Sequence, residues 1–245
     1  MPGADNFQKT KVSIVIPAYN EEKYISDCLL SLANQKTGHW FEVILVDNCS
    51  SDKTAAMAEK YRQFLNLKII SEKIKGRGRA RAVGFASAAG EIILSTDADC
   101  ILPENWIEQM VSALQKSGCQ AAAGSFSIKD QTAVKNFLVS NAWFLIKTAF
   151  SVVFGYCFLF GSNFAIKKES YLKSGGFNKS LDVYEDIDLS FRVKKTGKIA
   201  VVNSTIITSG RRYRDSLIKG VFAYLKAIFC CLINRKKSAV IEDIR

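Results

Sequence analysis

Residues 91–99 read EIILSTDAD. The apolar, β-branched start of this stretch reads as a buried strand. Two acids one residue apart, Asp97 and Asp99, then stand just past its carboxyl end. The same alternation repeats toward the N-terminus. Val12 to Pro17 (VSIVIP) is a strand closed by a proline, and Asn20-Glu21-Glu22 opens a helix with Ile25, Cys28, Leu29 and Leu32 at helical spacing. Phe41 to Val46 (FEVILV) is a second strand ending at Asp47. Ser50-Ser51-Asp52 caps a helix through Ala55 and Tyr61, and Leu67 to Ile70 is a third strand. A glycine- and arginine-rich loop, Lys75 to Arg81, leads into a helix through Ala89 and so back to the starting strand. Strand and helix in short alternation predict an α/β fold, a mostly parallel Rossmann-like sheet flanked by helices. Ligands of such sheets gather at the carboxyl ends of the strands. Asn20-Glu21, Asp47-Asn48, Arg77 to Arg81 and Asp97 to Asp99 are therefore expected to line one crevice.

The second half is less regular. Trp106 to Leu114 reads as a helix, Ala121 to Ile128 and Gly161 to Ile166 as strands, Asp186 to Lys195 as a helix and Ile199 to Ile207 as a late strand. Asp215 to Ile233 has the apolar spacing of an amphipathic helix, carries Lys219 and Lys226, and runs on to Arg235-Lys236-Lys237. Such a helix suits either an anionic membrane surface or packing on the domain with a solvated basic tip. Residues 148–166 carry no charge and are long enough to span a bilayer. Gly155, Gly161, Ser162 and Asn163 interrupt them, and a span would separate Asp99 from Asp186, so a buried or membrane-facing segment is expected instead.

Composition narrows the function classes. The chain has 245 residues, 48% hydrophobic and 23% charged, as in a globular protein. Its formal net charge of +11 suits nucleic acid, an anionic membrane or phosphorylated substrates. A nucleic-acid binder would not explain four strand ends rich in acids and amides. Seven cysteines without a Cys-x-x-Cys pair, and a single histidine, His39, argue against a zinc site and a disulfide framework. The chain reads as cytoplasmic, since Met1 to Lys11 lacks the apolar stretch of a signal peptide.

Asp97 and Asp99 on a turn can reach one hard divalent cation, Mn2+ or Mg2+, which would neutralise a diphosphate leaving group. Glu185 and Asp186 head a helix, where free backbone donors stabilise carboxylates. A carboxylate there is also placed to act as a general base, whereas Asp188 reads as simple capping. Lys75, Arg77, Arg79 and Arg81 with Gly76 and Gly78 form a basic loop suited to phosphate, nucleic acid or lipid headgroups. Arg211-Arg212 is a second basic patch suited to a diphosphate.

Together these segments resemble the family 2 glycosyltransferases, inverting enzymes with the GT-A fold. The resemblance covers residues 11–212 through VSIVIPAYNEE (12–22), VILVDNCSSDKT (43–54), GRGRARAVGFASAAGEIILSTDAD (76–99), GSNFAIKKESYLKSGGF (161–177) and YEDIDLSFRVKKTG (184–197). It implies a nucleotide-sugar-binding half over 11–100, an acceptor-binding half over 101–212 and an amphipathic basic C-terminal helix over 213–245. Pro17, Tyr19 and Glu21 match the opening nucleotide-binding motif, Asp47 and Asn48 the pair beside base and ribose, and Arg81 a basic residue near the nucleotide. Asp97 and Asp99 match the metal motif, with Asp97 also on the donor. Gly161-Ser162-Asn163 and Gly175-Gly176-Phe177 match the acceptor-side framework, and Asp186, with Glu185 beside it, the catalytic base. Ala82 stands where many members have asparagine, and neither the Gln-x-x-Arg-Trp motif of processive members nor a late metal-binding histidine is present. The resemblance thus implies non-processive transfer from a UDP-, GDP- or dTDP-sugar to a glycan or lipid-linked acceptor, in or on the inner face of the cytoplasmic membrane. The rivals are a sugar nucleotidyltransferase, which would carry a glycine-rich loop where Pro17-Ala18-Tyr19-Asn20 stands, and a silent nucleotide-sugar or membrane-surface binding protein.

Overall fold

The computed structural model describes residues 11–129, 157–181 and 184–213, with side chains to 211. The first half alternates as its sequence predicts: β1 (Lys11–Ala18), α1 (Ile25–Ala33), β2 (Trp40–Asp47), α2 (Thr54–Glu59), β3 (Leu67–Ser71), α3 (Arg77–Ser87) and β4 (Ile92–Thr96). There follow β5 (Cys100–Ile101), α4 (Trp106–Gln115), β6 (Cys119–Ile128), β7 (Asn163–Lys167), α5 (Lys168–Lys173), α6 (Glu185–Val193), β8 (Lys198–Thr208) and a 3-10 turn, Gly210–Tyr213.

The strands form one eight-stranded sheet in the order β3-β2-β1-β4-β7-β6-β8-β5. The pairs β1–β2, β1–β4, β2–β3 and β6–β8 are parallel. Strand β7 runs antiparallel between β4 and β6, and β5 antiparallel on β8. Both faces of the central strands are covered, which is why they read as continuous apolar runs. Ile14, Ile16 and Leu94 face α1 and α4 in one core layer. Val15, Ile44 and Ile93 face α3 in the other, where Phe85 packs on Tyr171 and Phe177 at centroid distances of 4.7 and 4.9 Å.

Several boundaries differ from the sequence reading. The basic stretch expected as a loop is largely helix, because α3 begins at Arg77 and carries Gly78, Arg79, Ala80 and Arg81 in its first turns. Gly78 is needed there for packing: a Cβ on it would come within 3.2 Å of the Asn178 carbonyl oxygen and 3.3 Å of the Glu185 Cβ. Helix α2 stops at Glu59, short of Tyr61. The short elements β5 and α5 carry too few residues for a periodic signal. Residues 148–156, the aromatic stretch before them, the Arg212 side chain and the amphipathic segment 215–233 lie outside the described residues. No helix among the described residues is long and apolar enough to cross a membrane.

Candidate active site

Four loops leave the sheet at the carboxyl ends of β1, β2, β3 and β4, and backbone-to-side-chain bonds lace the first three together. Beyond β1, Asn20 adopts φ 53°, and its side-chain oxygen accepts the Ser51 N–H at 2.9 Å. The Glu21 N–H donates to the Thr54 hydroxyl at 2.7 Å, and the Glu22 N–H to Asp52 at 3.1 Å. Beyond β2, the Asn48 amide donates to the carbonyls of Glu72 and Ile74 at 3.1 and 2.7 Å and accepts the Gly76 N–H at 2.8 Å. Its side chain thus ties down the loop between β3 and α3. Asp47 ends β2 half-buried and accepts the Ser50 N–H at 3.3 Å. Pro17 and Tyr19 are half-buried at the end of β1, and the Lys75 ammonium lies 4.3 Å from the Tyr19 ring centroid.

The acids sit beyond β4. Asp99 accepts the Ser209 hydroxyl at 2.6 Å and faces the Arg211 guanidinium at 3.3 Å. Arg211 also pairs with Glu21 and lies 5.1 Å from the Tyr24 ring centroid. Glu21 is 6% exposed, and its second carboxylate oxygen has no hydrogen-bond partner. Burial pushes its carboxyl above the usual range; Arg211 opposes the shift, and the negative charges of Asp99 and Asp97 add to it. Against burial, which acts the other way, the Glu21 bond and charge hold the Arg211 guanidinium above its usual range.

Asp97 and Asp99 offer hard carboxylate oxygens on one turn beyond β4, the donor type a small divalent cation takes, and their negative charge reaches Glu21, one of whose oxygens has no hydrogen-bond partner. No three His, Cys, Asp or Glu side chains among the described residues are grouped to enclose a metal.

The start of α6 is joined to these acids through Arg81. Tyr184, at φ 67°, turns the chain into the helix. Asp186 is 8% exposed and accepts the N–H groups of Gly161 and Ile187 at 2.7 and 2.8 Å. Each of its oxygens keeps a further lone pair. Asp188, expected as a cap, instead pairs with Arg192 one turn on, at 2.6 Å. Arg81, expected beside the nucleotide, is 2% exposed; its Nη2 lies 2.5 Å from Asp97, and its Nη1 pairs with Glu185. Asn163, in a motif matched to the acceptor side, is fully buried. It accepts the Trp106 indole N–H at 2.8 Å and donates to the carbonyls of Ser125 and Ser204 at 2.7 and 2.9 Å, stitching β7 to β6 and β8.

The sequence reading missed Ser209, and with it the contact that brings the end of β8 onto Asp99. Its signal was weak: one hydroxyl two residues before Arg211. A cavity of about 280 Å³ lined by Gly38, Trp40, Phe64 and Asn66 opens at the start of β2, the opposite end from these carboxylates. Titratable chemistry, not concavity, marks the candidate site.

Comparison with known proteins gives the family and the fold. A family model described as Glycosyl transferase family 2 matches residues 13–175. The chain is 46% identical over 94 residues to the poly(ribitol-phosphate) beta-N-acetylglucosaminyltransferase TarS of Staphylococcus aureus, covering 36% of this chain and 16% of that protein. It is 29% identical over 238 residues to the dolichol-phosphate mannosyltransferase of Pyrococcus furiosus, covering 89% of this chain and 63% of that one. The chain therefore spans less than two thirds of either relative. Among solved structures, the mannosyltransferase PcManGT of Pyrobaculum calidifontis with GDP-Man and Mn2+ superposes with a TM-score of 0.74 at 19% identity, over 95% of this chain and 67% of that one. TarS with UDP-GlcNAc superposes with a TM-score of 0.67 at 20% identity, over 95% and 68%. The fold is GT-A.

Proposed function

The chain belongs to glycosyl transferase family 2, and from that membership we propose that it moves one sugar from a nucleoside-diphosphate sugar to a hydroxyl of a glycan or lipid-linked acceptor, inverting the anomeric centre. The observation that supports the reading is that Arg81 links Asp97, on the turn beyond β4, to Glu185, the neighbour of Asp186 at the start of α6, so that the two sets of acids lie near one another. The donor class follows from the relatives, whose complexes hold UDP-GlcNAc and GDP-Man.

Asp97 and Asp99 would hold a divalent cation, Mn2+ or Mg2+, which when bound neutralises charge on the departing diphosphate. Asp186 takes the proton of the acceptor hydroxyl as its oxygen attacks the anomeric carbon. The bond from that carbon to the diphosphate oxygen breaks on the opposite face. Arg211, about two-fifths exposed at the rim, presents a fixed positive charge to the leaving group, joined by Arg212. Pro17, Tyr19, Glu21, Asp47 and Asn48 shape the nucleotide end. The names of TarS and the mannosyltransferase carry poly(ribitol-phosphate) and dolichol-phosphate, and the net charge of +11 suits such anionic partners, so we propose that the reaction belongs to cell-envelope glycan assembly on the inner face of the cytoplasmic membrane.

The test is a panel of UDP-, GDP- and dTDP-sugars, with and without Mn2+, read by thermal shift and nucleotide release. One donor gives a metal-dependent shift that Asp99→Asn loses. Asp186→Asn keeps the shift and loses turnover by about 10²- to 10⁴-fold. Binding without release in the wild type would leave a binding protein in place of an enzyme, and undiminished transfer by Asp186→Asn would remove the base.

A further inference from the structure

Arg81 is, after Trp106, the largest fully buried side chain in the described structure. Enclosing a guanidinium costs several kcal/mol unless carboxylates compensate it. Two do, and they belong to different elements. Nη2 meets Asp97 on the turn after β4, and Nη1 meets Glu185 at the first position of α6. A single-carboxylate fork is the common arrangement for arginine; here the head group is stretched between two.

The backbone around it is shaped to the same end. Gly161 lies against the guanidinium, so that a Cβ on it would sit 2.6 Å from the Arg81 Cζ. The Gly161 N–H holds Asp186 at 2.7 Å, and its carbonyl accepts the Ser95 hydroxyl at 2.7 Å. Gly78, one turn before Arg81, lets α6 approach α3. Asp97, Glu185 and the backbone that holds Asp186 therefore all take their places from one rigid, planar group.

We propose that Arg81 is a positioning residue: it sets the separation between the acid that faces the leaving diphosphate and the carboxylate that takes the acceptor proton, and it does not touch the nucleotide. This rests on the roles proposed above for Asp97 and Asp186. Displacements of about 1 Å at reacting groups can cost on the order of 10²-fold in rate, so such a strut acts on turnover without acting on binding.

The test is Arg81→Lys, which keeps the charge but replaces a planar fork with one nitrogen that cannot span both carboxylates. Donor affinity is measured by calorimetry and steady-state constants by nucleotide release. The expected result is a kcat lower by roughly ten- to a hundred-fold, with donor Kd and KM within about threefold of wild type. A tenfold weaker donor Kd with kcat intact would make Arg81 a nucleotide contact and overturn the proposal. So would a kcat loss that merely follows the folded fraction and disappears at low temperature. If Arg81→Lys does not fold, Glu185→Gln serves, since its amide oxygen still accepts from Nη1 without the charge. A lowered kcat at unchanged donor Kd supports the strut, and wild-type kcat overturns it. If instead the wild type neither binds nor turns over any donor, the parent reading has failed, not this one.

Discussion

Asn163 has two donors and one oxygen on its side-chain amide, and every one is used inside the protein. Replacing it with leucine would strand the Trp106 indole N–H and the carbonyls of Ser125 and Ser204, all paired with it now. At about 1–3 kcal/mol for each orphaned buried group, Asn163→Leu is expected to destabilise the fold by at least 3 kcal/mol or so, read from denaturant midpoints. A loss under 1 kcal/mol would show that the site relaxes around the change. The residue also shows what a sequence conceals. Asp97, Asp99 and Asp186 stood out in the sequence because they follow a strand end or head a helix, and for Asp186 backbone N–H groups do hold the carboxylate there. The family resemblance put Asn163 in the acceptor-side framework and Arg81 near the nucleotide, and neither residue type reveals that the side chain is enclosed. Their burial comes from distant partners, which for Arg81 include Glu185, 104 positions away.

Among elements, α2 shows how a loop acid holds a helix in place. The Asp52 carboxylate accepts the Thr54 N–H at 2.9 Å and the Thr54 hydroxyl at 2.5 Å, while its other oxygen accepts the Glu22 N–H at 3.1 Å. One side chain thus fastens the loop after β1 to the start of α2. Burial pushes the Asp52 carboxyl up, but the bonds from Thr54 and Glu22 outweigh it and hold the group below the usual carboxylate range. A depressed folded pKa means stability that is present above the unfolded value, near pH 4, and is lost as pH falls through the folded one. Asp52→Ala is therefore expected to cost about 0.5–2 kcal/mol at neutral pH, as lost helix caps do, and to flatten the decline below pH 4. Equal slopes in acid for wild type and variant would count against it. The long elements were legible from their periodicity. The start of α3 was not, because Gly76 and Gly78 signal a loop, while the helix accepts glycine's cost of about 1 kcal/mol to bring α6 close.

At the scale of the whole molecule, the parallel half of the sheet followed from the alternation of strand and helix. The antiparallel insertion of β7 did not, since no local pattern states which neighbour a strand will choose. Charge is legible at this scale too. The segment 214–245 carries Lys219, Lys226 and Arg235-Lys236-Lys237 along an apolar spacing. The full chain is expected to float with vesicles containing anionic lipid at low salt, and to be released at about 1 M salt, where screening shortens to roughly 3 Å. Failure of the full chain to float, or undiminished flotation after removal of 214–245, would remove that segment from membrane attachment.

Strand β7 also governs how this protein could be recombined with its relatives. It lies late in the chain yet is hydrogen-bonded directly to β4, with Thr96 opposite Asn163 and Ile92 opposite Lys167. A chimera joined at residue 100, taking residues 11–100 from one parent and the rest from another, would put that seam through the middle of a shared sheet. Exchange of specificity by splicing has to carry both sides of the β4–β7 seam together, or match their register residue for residue.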